Sequence, residues 1–172
     1  MKERVRGFEV LPEFQEKAKE VLKTILSAKG ESDEFIIMPH DWLPQRGTSK
    51  SSGYDIRALE NVFIPANSWK LVPTGLTAYM LDDEELQIRP RSGLALKEGI
   101  SVLNSPGTID SDYYGKHIGV ILMNNSTESI KVKAGDRIAQ AVLKKVSTIE
   151  WEEVKELPKT ERGDGGFGHS GN

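Results

Sequence analysis

Residues 104–115 read N-S-P-G-T-I-D-S-D-Y-Y-G, and we expect the rest of the chain to be organised around them. Pro106 presets its backbone angle φ and Gly107 can adopt a positive φ, so this pair favours a tight bend. The β-branched runs at residues 100–103 and 118–123 have the composition of strands. The stretch is therefore predicted to be a hairpin between two strands.

The polar residues of this hairpin indicate a binding site. Asn104 lies before the bend, and Asp110 and Tyr113 follow it. An Asp and a Tyr in a turn are most often ordinary solvated loop residues. The full string of amide, bend, carboxylate and ring is more specific, and it predicts a pocket for a small planar ligand.

Length and composition narrow the class of protein. The 172 residues favour one domain, and a net charge of −3 argues against a general polyanion binder. The absence of cysteine excludes disulfides, thiolate zinc sites and a cysteine nucleophile. No apolar run approaches roughly 18 residues, and no signal-peptide core follows the charged start. We expect a cytoplasmic protein that binds neither membrane nor nucleic acid.

An amphipathic helix is predicted near the start of the chain. Apolar residues recur at helical spacing over residues 13–29, Pro12 suits a first turn, and Gly30 suits a stop. Acidic and basic residues mix on the other face, which disfavours a membrane-surface role. The helix is expected to pack on the protein body or on a neighbouring subunit.

Most of the remaining chain is predicted to be strand and turn. Short β-branched runs alternate with turn residues, which is typical of an all-β barrel or a jelly-roll-like sandwich. Besides the two strands already named, the predicted strands are residues 35–38, 54–59, 61–64, 68–72, 76–80, 86–88, 130–132, 138–146 and 148–154.

The end of the chain is rich in glycine. Residues 162–171 read R-G-D-G-G-F-G-H-S-G, and so many glycines cannot hold a helix or strand alone. One interpretation is a disordered tail without a role. The other is a lid in which Phe167 stacks on a ligand, Arg162 meets an anion and backbone N–H groups approach phosphate.

Five motifs in this order resemble those of the homotrimeric dUTP pyrophosphatase (dUTPase) family. Each motif is weak alone, but five in register are specific. One position departs from the family pattern, because His169 stands where a small hydroxyl residue is usual, which leaves Ser170 as the hydroxyl there. The matching stretches are residues 48–58 (T-S-K-S-S-G-Y-D-I-R-A), 90–95 (P-R-S-G-L-A), 107–115, 135–140 (G-D-R-I-A-Q) and 162–171.

The resemblance implies an all-β jelly-roll or β-barrel fold with an additional N-terminal α-helix and a Gly-rich C-terminal arm. The expected divisions are a helical extension over residues 1–34, a dUTPase domain over 35–157 and a flexible arm over 158–172 that closes the active site. The helical extension has no counterpart in the minimal family pattern.

The implied reaction is hydrolysis of dUTP to dUMP and pyrophosphate, which limits uracil incorporation into DNA and supplies dUMP for dTMP synthesis. Asp110 matches the general base that activates water for attack on the α-phosphate. Asp55 matches a supporting carboxylate, although a strand-end aspartate without a catalytic part is the competing interpretation. Mg²⁺ is expected to arrive with the triphosphate and to contact protein through water, with no direct protein ligand.

The same resemblance implies the substrate-binding residues and their distribution over three chains of a homotrimer. One chain would supply the phosphate-binding residues, a second the hairpin and a third the tail, while Arg137 is interpreted as an interstrand ion-pair partner outside the site. The implied substrate-binding residues are Arg91, Ser92, Gly93, Asn104, Gly107, Ile109, Tyr113, Gln140, Arg162, Phe167, Gly168 and Ser170.

Two alternatives compete with this interpretation. A dCTP deaminase shares the fold and part of the second motif, but it uses a glutamate in the strand after the third motif. Residues 116–125 contain no carboxylate here. The second alternative is a dUTPase that also acts as a regulatory protein-binding module through its helical extension.

Overall fold

Strands provide most of the regular structure in the computed structural model, which describes residues 6–34, 36, 40–163 and 165. The helices are α1 (Gln15–Lys29) and α2 (Ser92–Glu98), with 3-10 turns at Pro12–Phe14 and Ser111–Tyr113. The strands are β1 (Gly7–Val10), β2 (Gln45–Arg46), β3 (Tyr54–Arg57), β4 (Val62–Ile64), β5 (Ser68–Tyr79), β6 (Glu84–Arg89), β7 (Ile100–Val102), β8 (Gly107–Ile109), β9 (Ile118–Asn124), β10 (Ile130–Val132) and β11 (Arg137–Lys145).

Two mainly antiparallel sheets and a two-stranded ribbon form the body. One sheet has the order β1-β5-β9-β7, the other β2-β3-β11-β6-β8, and β10 pairs with β4. Burial alternates residue by residue along β6 and β9, so each strand turns one face towards a shared apolar core. The predicted all-β, jelly-roll type of fold is confirmed.

The predicted hairpin is confirmed at its base and differs at its tip. β7 and β9 pair antiparallel, from Ile100 opposite Asn124 to Val102 opposite Leu122. The connection between them is not a tight bend, because β8 leaves this sheet and pairs with β6 of the other one. Gly107 is the first residue of β8 and does not have a positive φ, so the reason given for that glycine was wrong.

The predicted helix is confirmed as α1, and it ends at Gly30, which has a left-handed φ of 72°. Its buried face is formed by Ala18, Val21 and Leu22. The sequence did not indicate β1, which precedes the helix and pairs with β5. The N-terminal extension therefore adds a strand to the first sheet as well as a helix.

Four other strand predictions need correction or lie mostly outside the described residues. Residues 68–72 and 76–80 were predicted as two strands but belong to one strand, β5, whose register with β9 shifts between Pro73 and Leu76. Residues 148–154 form no strand, because this segment is exposed and pairs with no strand of the described chain. The strand predicted at residues 35–38 falls mostly outside the described residues.

The register shift in β5 is held by His117. Its Nε2 accepts hydrogen bonds from the backbone N–H groups of Thr74 and Gly75, each at 3.1 Å. Burial lowers the pKa of His117, which favours the neutral ring that this geometry requires. The ring also lies 4.8 Å, centroid to centroid, from Phe14 just before α1. This contact connects the N-terminal extension to the barrel.

A buried asparagine ends β9. Asn124 is fully buried, and its Nδ2 donates to the carbonyl oxygens of Ile64, Pro65 and Glu128. Its Oδ1 accepts from the backbone N–H of Ser126 at 2.9 Å. One side chain thus joins β9, the end of β4 and the following loop.

We expect Asn124→Ala to lower the free energy of unfolding by about 3 kcal/mol, because several buried polar groups would lose their partner. Urea denaturation of purified protein would measure this. The exposed neighbour Asn125 donates to Gly99 and Ser101, and Asn125→Ala should cost less than about 1 kcal/mol. Equal losses in the two variants would contradict the interpretation.

Candidate active site

Asp55 in β3 holds two arginines from different parts of the chain. Its Oδ1 lies 3.0 Å from Nε of Arg91, and its Oδ2 lies 3.1 Å from Nη1 of Arg137. Arg91 also donates from Nη1 to the carbonyl oxygen of Arg137 at 2.9 Å. These contacts join the first, second and fourth motifs and fix the directions of both guanidinium groups.

A third arginine lies close to this cluster. Burial lowers the pKa of the Arg57 guanidinium, and the positive charge of Arg137 acts in the same direction. Two of the three guanidinium groups pair with Asp55, and Arg57 instead donates to the carbonyl oxygen of Gly135. With one carboxylate for three guanidinium groups, the cluster carries excess positive charge. Planar donors with excess charge are suited to phosphate oxygens.

Arg137 was interpreted from sequence as an interstrand ion-pair partner, and its pairing with Asp55 between β11 and β3 confirms this. The same ion pair places Arg137 beside the predicted site residues. The sequence could not indicate that proximity, because it depends on the register between two strands about 80 residues apart. The register brings Arg137 opposite Arg57.

Gln140 is held at the same end of the sheet. It lies opposite Asp55 on β3 and opposite Arg89 on β6, and its Nε2 donates to the carbonyl oxygen of Pro90 at 2.9 Å. Gly53 leaves the space that this amide occupies, because an added Cβ would overlap Oε1 of Gln140 and lie 2.9 Å from its Cδ.

For the dUTP hydrolysis that the sequence resemblance implies, we expect Gly53→Ala to lower kcat/KM about 10- to 100-fold, since the new methyl group would displace the Gln140 amide. The protein should still fold, because the Gln140 side chain can move. Gly47→Ala is the control, since its Cβ would meet only Oγ of Ser51 at 3.8 Å. Steady-state kinetics would measure both variants, and unchanged kcat/KM in Gly53→Ala would argue against the placement of Gln140.

Asp110 has an exposed carboxylate. It precedes the 3-10 turn Ser111–Tyr113, but its side chain makes no capping hydrogen bond to that turn. The turn is closed instead by the backbone, with the N–H of Tyr113 donating to the carbonyl oxygen of Asp110 at 3.1 Å. The side chain of Asp110 is therefore not used in forming the turn.

The other predicted site residues of the stretch 104–115 lie in β8 or close to it. Tyr113 is half-buried against the core, and its hydroxyl donates to the carbonyl oxygen of His117 at 3.3 Å. Asn104 is exposed, and its amide lies 3.2 Å from where a Cβ on Gly107 would sit. The absence of a side chain on Gly107 leaves room for the Asn104 amide at this distance. Ile109 is half-buried at the end of β8.

Within one chain, Asp110 and the arginine cluster lie at opposite ends of the second sheet. Ile109 is opposite Leu86 on β6, whereas Gln140 is opposite Arg89 on the same strand. Asp110 is therefore about 13 Å from Gln140 along the strands and about 10 Å across them, at ~3.3 Å per residue and ~4.8 Å per strand. One described chain does not bring the predicted base to the predicted phosphate-binding residues.

The remaining predicted residues are less constrained. Ser92 and Gly93 are exposed at the start of α2, and a Cβ on Gly93 would meet nothing within 4 Å. Arg162 is exposed in a turn, where its carbonyl oxygen accepts from the N–H of Gly165 at 3.0 Å. The tail residues Phe167, Gly168, His169 and Ser170 lie outside the described residues.

A resident metal centre does not fit the described side chains. No group of three His, Cys, Asp or Glu side chains in this part of the chain could hold a metal ion. The carboxylate of Asp55 is already engaged by two arginines. Separately, no helix among the described residues is long and apolar enough to cross a membrane.

Two guanidinium groups fixed by one carboxylate, with an amide held at the same end of the sheet, are typical of proteins that bind phosphate groups. A protein-family model for dUTPase matches residues 41–171. The chain is 50% identical over 133 residues to a deoxyuridine 5'-triphosphate nucleotidohydrolase of Wolinella succinogenes, covering 77% of this chain and 89% of the relative. This chain belongs to the dUTPase family.

Solved structures agree with the family. The dUTPase of Streptococcus mutans is 29% identical with a TM-score of 0.66, covering 84% of this chain and 99% of that one. The Staphylococcus bacteriophage 80alpha dUTPase with dUPNHPP is 25% identical with a TM-score of 0.69, covering 76% of this chain and 92% of that one. The predicted family, fold and enzyme class are confirmed.

Proposed function

We propose that this chain hydrolyses dUTP to dUMP and pyrophosphate at sites shared between the three chains of a homotrimer. The observation that carries the proposal is the pair of guanidinium groups fixed by Asp55 beside Gln140, combined with the free carboxylate of Asp110. The family assignment gives the reaction class. It does not favour the dCTP deaminase or a purely regulatory module.

The separation of Asp110 from the arginine cluster supports a shared site. A general base must reach the water that attacks the phosphorus bound by the arginines. In one chain the two groups lie at opposite ends of a sheet. In the proposed trimer, one chain supplies Arg91, Ser92 and Gln140, a second supplies residues 104–113, and a third supplies the tail.

The proposed chemistry needs few groups. Asp110 accepts a proton from water as the water oxygen bonds to the α-phosphorus, and the bond from that phosphorus to the bridging oxygen breaks to release pyrophosphate. Arg91 and Ser92 donate to the phosphate oxygens on which charge develops. Asp55 is a positioning residue here, because both its oxygens hold guanidinium groups rather than a water.

A bound divalent cation such as Mg²⁺ would supply charge neutralisation on the triphosphate. We propose that this ion arrives with the nucleotide and contacts the protein through water. The cytoplasmic location and the absence of membrane and nucleic-acid partners remain predictions.

Selectivity for uracil follows from hydrogen bonding. Uracil presents O2, N3–H and O4, which the backbone of residues 104–113 and the amide of Asn104 can satisfy. The amino group of cytosine would meet a donor, and the resulting unpaired polar atoms penalise dCTP by about 10⁴ in rate. In this proposal Tyr113 packs under the deoxyribose and excludes a 2′-hydroxyl, and Phe167 stacks on the base.

Pyrophosphate release from dUTP, dCTP, dTTP and UTP, each with and without magnesium, tests the proposal. We expect rapid release from dUTP with magnesium and at least about 10³-fold slower release from the other three nucleotides. Ammonia release from dCTP should be absent. Comparable turnover of dCTP or UTP would contradict the proposed substrate.

A further inference from the structure

Helix α1 packs on the turn that leads into β11. Gly135 lies in this turn with a left-handed φ of 87°. A Cβ added to Gly135 would lie 3.0 Å from Cγ1 of Ile25 and 3.3 Å from Cγ1 of Val21. The helix therefore touches the turn directly, and Ile25 provides the nearest atoms.

The barrel holds the same turn from the other side. The N–H of Gly135 donates to the carbonyl oxygen of Ala58 at 2.7 Å, and Nη1 of Arg57 donates to the carbonyl oxygen of Gly135 at 2.9 Å. The N–H of Ala134 donates to Oδ1 of Asn61 at 3.0 Å. The turn is thus clamped between α1 and the end of β3.

Arg137 follows this turn directly, so the turn sets the position of the arginine cluster. The carbonyl oxygen of Arg137 accepts a hydrogen bond from Nη1 of Arg91, and the guanidinium group of Arg137 pairs with Asp55. A shift of the turn would move both contacts at once. Packing contacts of this kind can couple groups that are distant from each other.

Helix α1 lies outside the part of the chain that matches the family model, which covers residues 41–171. We infer that α1 is a positioning element of the nucleotide site, in which Ile25 presses on Gly135 and thereby fixes Arg137 and Arg91 for phosphate binding. This inference rests on the proposed hydrolysis of dUTP.

The helix is anchored at its start by contacts that do not involve Ile25. Lys17 pairs with Glu60, and the N–H of Leu11 donates to the carbonyl oxygen of Gly75 at 3.0 Å. Shortening Ile25 should therefore loosen the contact with the turn and leave the helix in place. Ile25 is only partly buried, so its truncation should be tolerated by the fold.

Steady-state kinetics of the full chain with dUTP and magnesium tests the inference with three variants. Ile25→Ala should raise KM about fivefold with kcat within twofold, and Ile25→Leu, which keeps the side-chain volume, should restore KM. Leu22→Ala is the matched control. Leu22 is a more deeply buried residue of the same helix, yet it is not among the nearest neighbours of Gly135.

We expect Leu22→Ala to lower the melting temperature at least as much as Ile25→Ala while keeping KM within twofold of the parent. An unchanged KM in Ile25→Ala would overturn the inference. So would a KM that rises in both alanine variants in proportion to their loss of stability. The parent protein is assayed first, because failure to turn over dUTP there would instead refute the proposed function.

Discussion

Replacing Asp110 with asparagine should reduce kcat for dUTP hydrolysis by about 10²- to 10⁴-fold. The amide has almost the same shape as the carboxylate but cannot accept the proton of the attacking water. The fold should be unaffected, because the Asp110 side chain does not cap the turn that follows it. Affinity for a non-hydrolysable dUTP analogue should stay within about twofold, since the phosphate-binding groups are unchanged.

Asp112 offers a matched control two residues further along. It is also exposed and lies within the 3-10 turn, so Asp112→Asn changes the local charge equally. Pyrophosphate release and calorimetric binding of the analogue would separate turnover from affinity. Full turnover in Asp110→Asn, or loss of turnover only in Asp112→Asn, would refute the assignment of the base.

Ending the chain after Pro158 should lower kcat/KM about 100-fold or more, because the proposed site would lose Arg162 and the Gly-rich stretch that closes over the nucleotide. The barrel should keep its stability, since residues 148–163 are exposed along their length. A thermal melt and steady-state kinetics on the truncated chain would show both.

Two point variants locate the effect within the tail. Arg162→Ala should reproduce a substantial part of this loss in kcat/KM, because it removes the guanidinium group proposed to contact the triphosphate. Lys159→Ala removes an exposed cation three residues earlier and should leave kcat/KM within about twofold. A truncated chain with the activity of the full chain would contradict a role for the tail.

The sequence predicted the elements whose pattern is local. Apolar spacing, Pro12 and Gly30 were sufficient for α1, and the β-branched runs on either side of residues 104–115 were sufficient for β7 and β9. The path between those strands was not predictable in the same way. β8 pairs with β6, and a short run such as Gly107–Ile109 does not indicate which sheet it will join.

The strand predicted at residues 148–154 was wrong for a different reason. Its apolar residues satisfy a strand pattern, but Trp151 is 88% exposed and no neighbouring strand of the described chain lies beside it. Composition alone could not show this, because a strand needs a partner to satisfy its backbone groups. The strand β1 was missed because its four residues carry little pattern.

For the candidate site, the sequence identified residue types better than their arrangement. Asp55, Arg91 and Gln140 were selected by resemblance, and the structure brings them to one end of a sheet. Their connection through Arg137 depends on strand register. The tight fit of Gly53 against Gln140 is likewise a matter of three-dimensional packing that no spacing in the chain expresses.

The distance between Asp110 and the arginine cluster within one chain can be tested by mixing two variants. We expect Asp110→Asn and Arg91→Ala each to lose most activity alone, because they damage different contributors to each proposed catalytic unit. When the two are unfolded together and reassembled, some units should receive an intact Asp110 from one parent and an intact Arg91 from the other. The reassembled mixture should therefore hydrolyse dUTP faster than either variant alone. An enzyme whose active site lies within one chain would not show this intersubunit complementation.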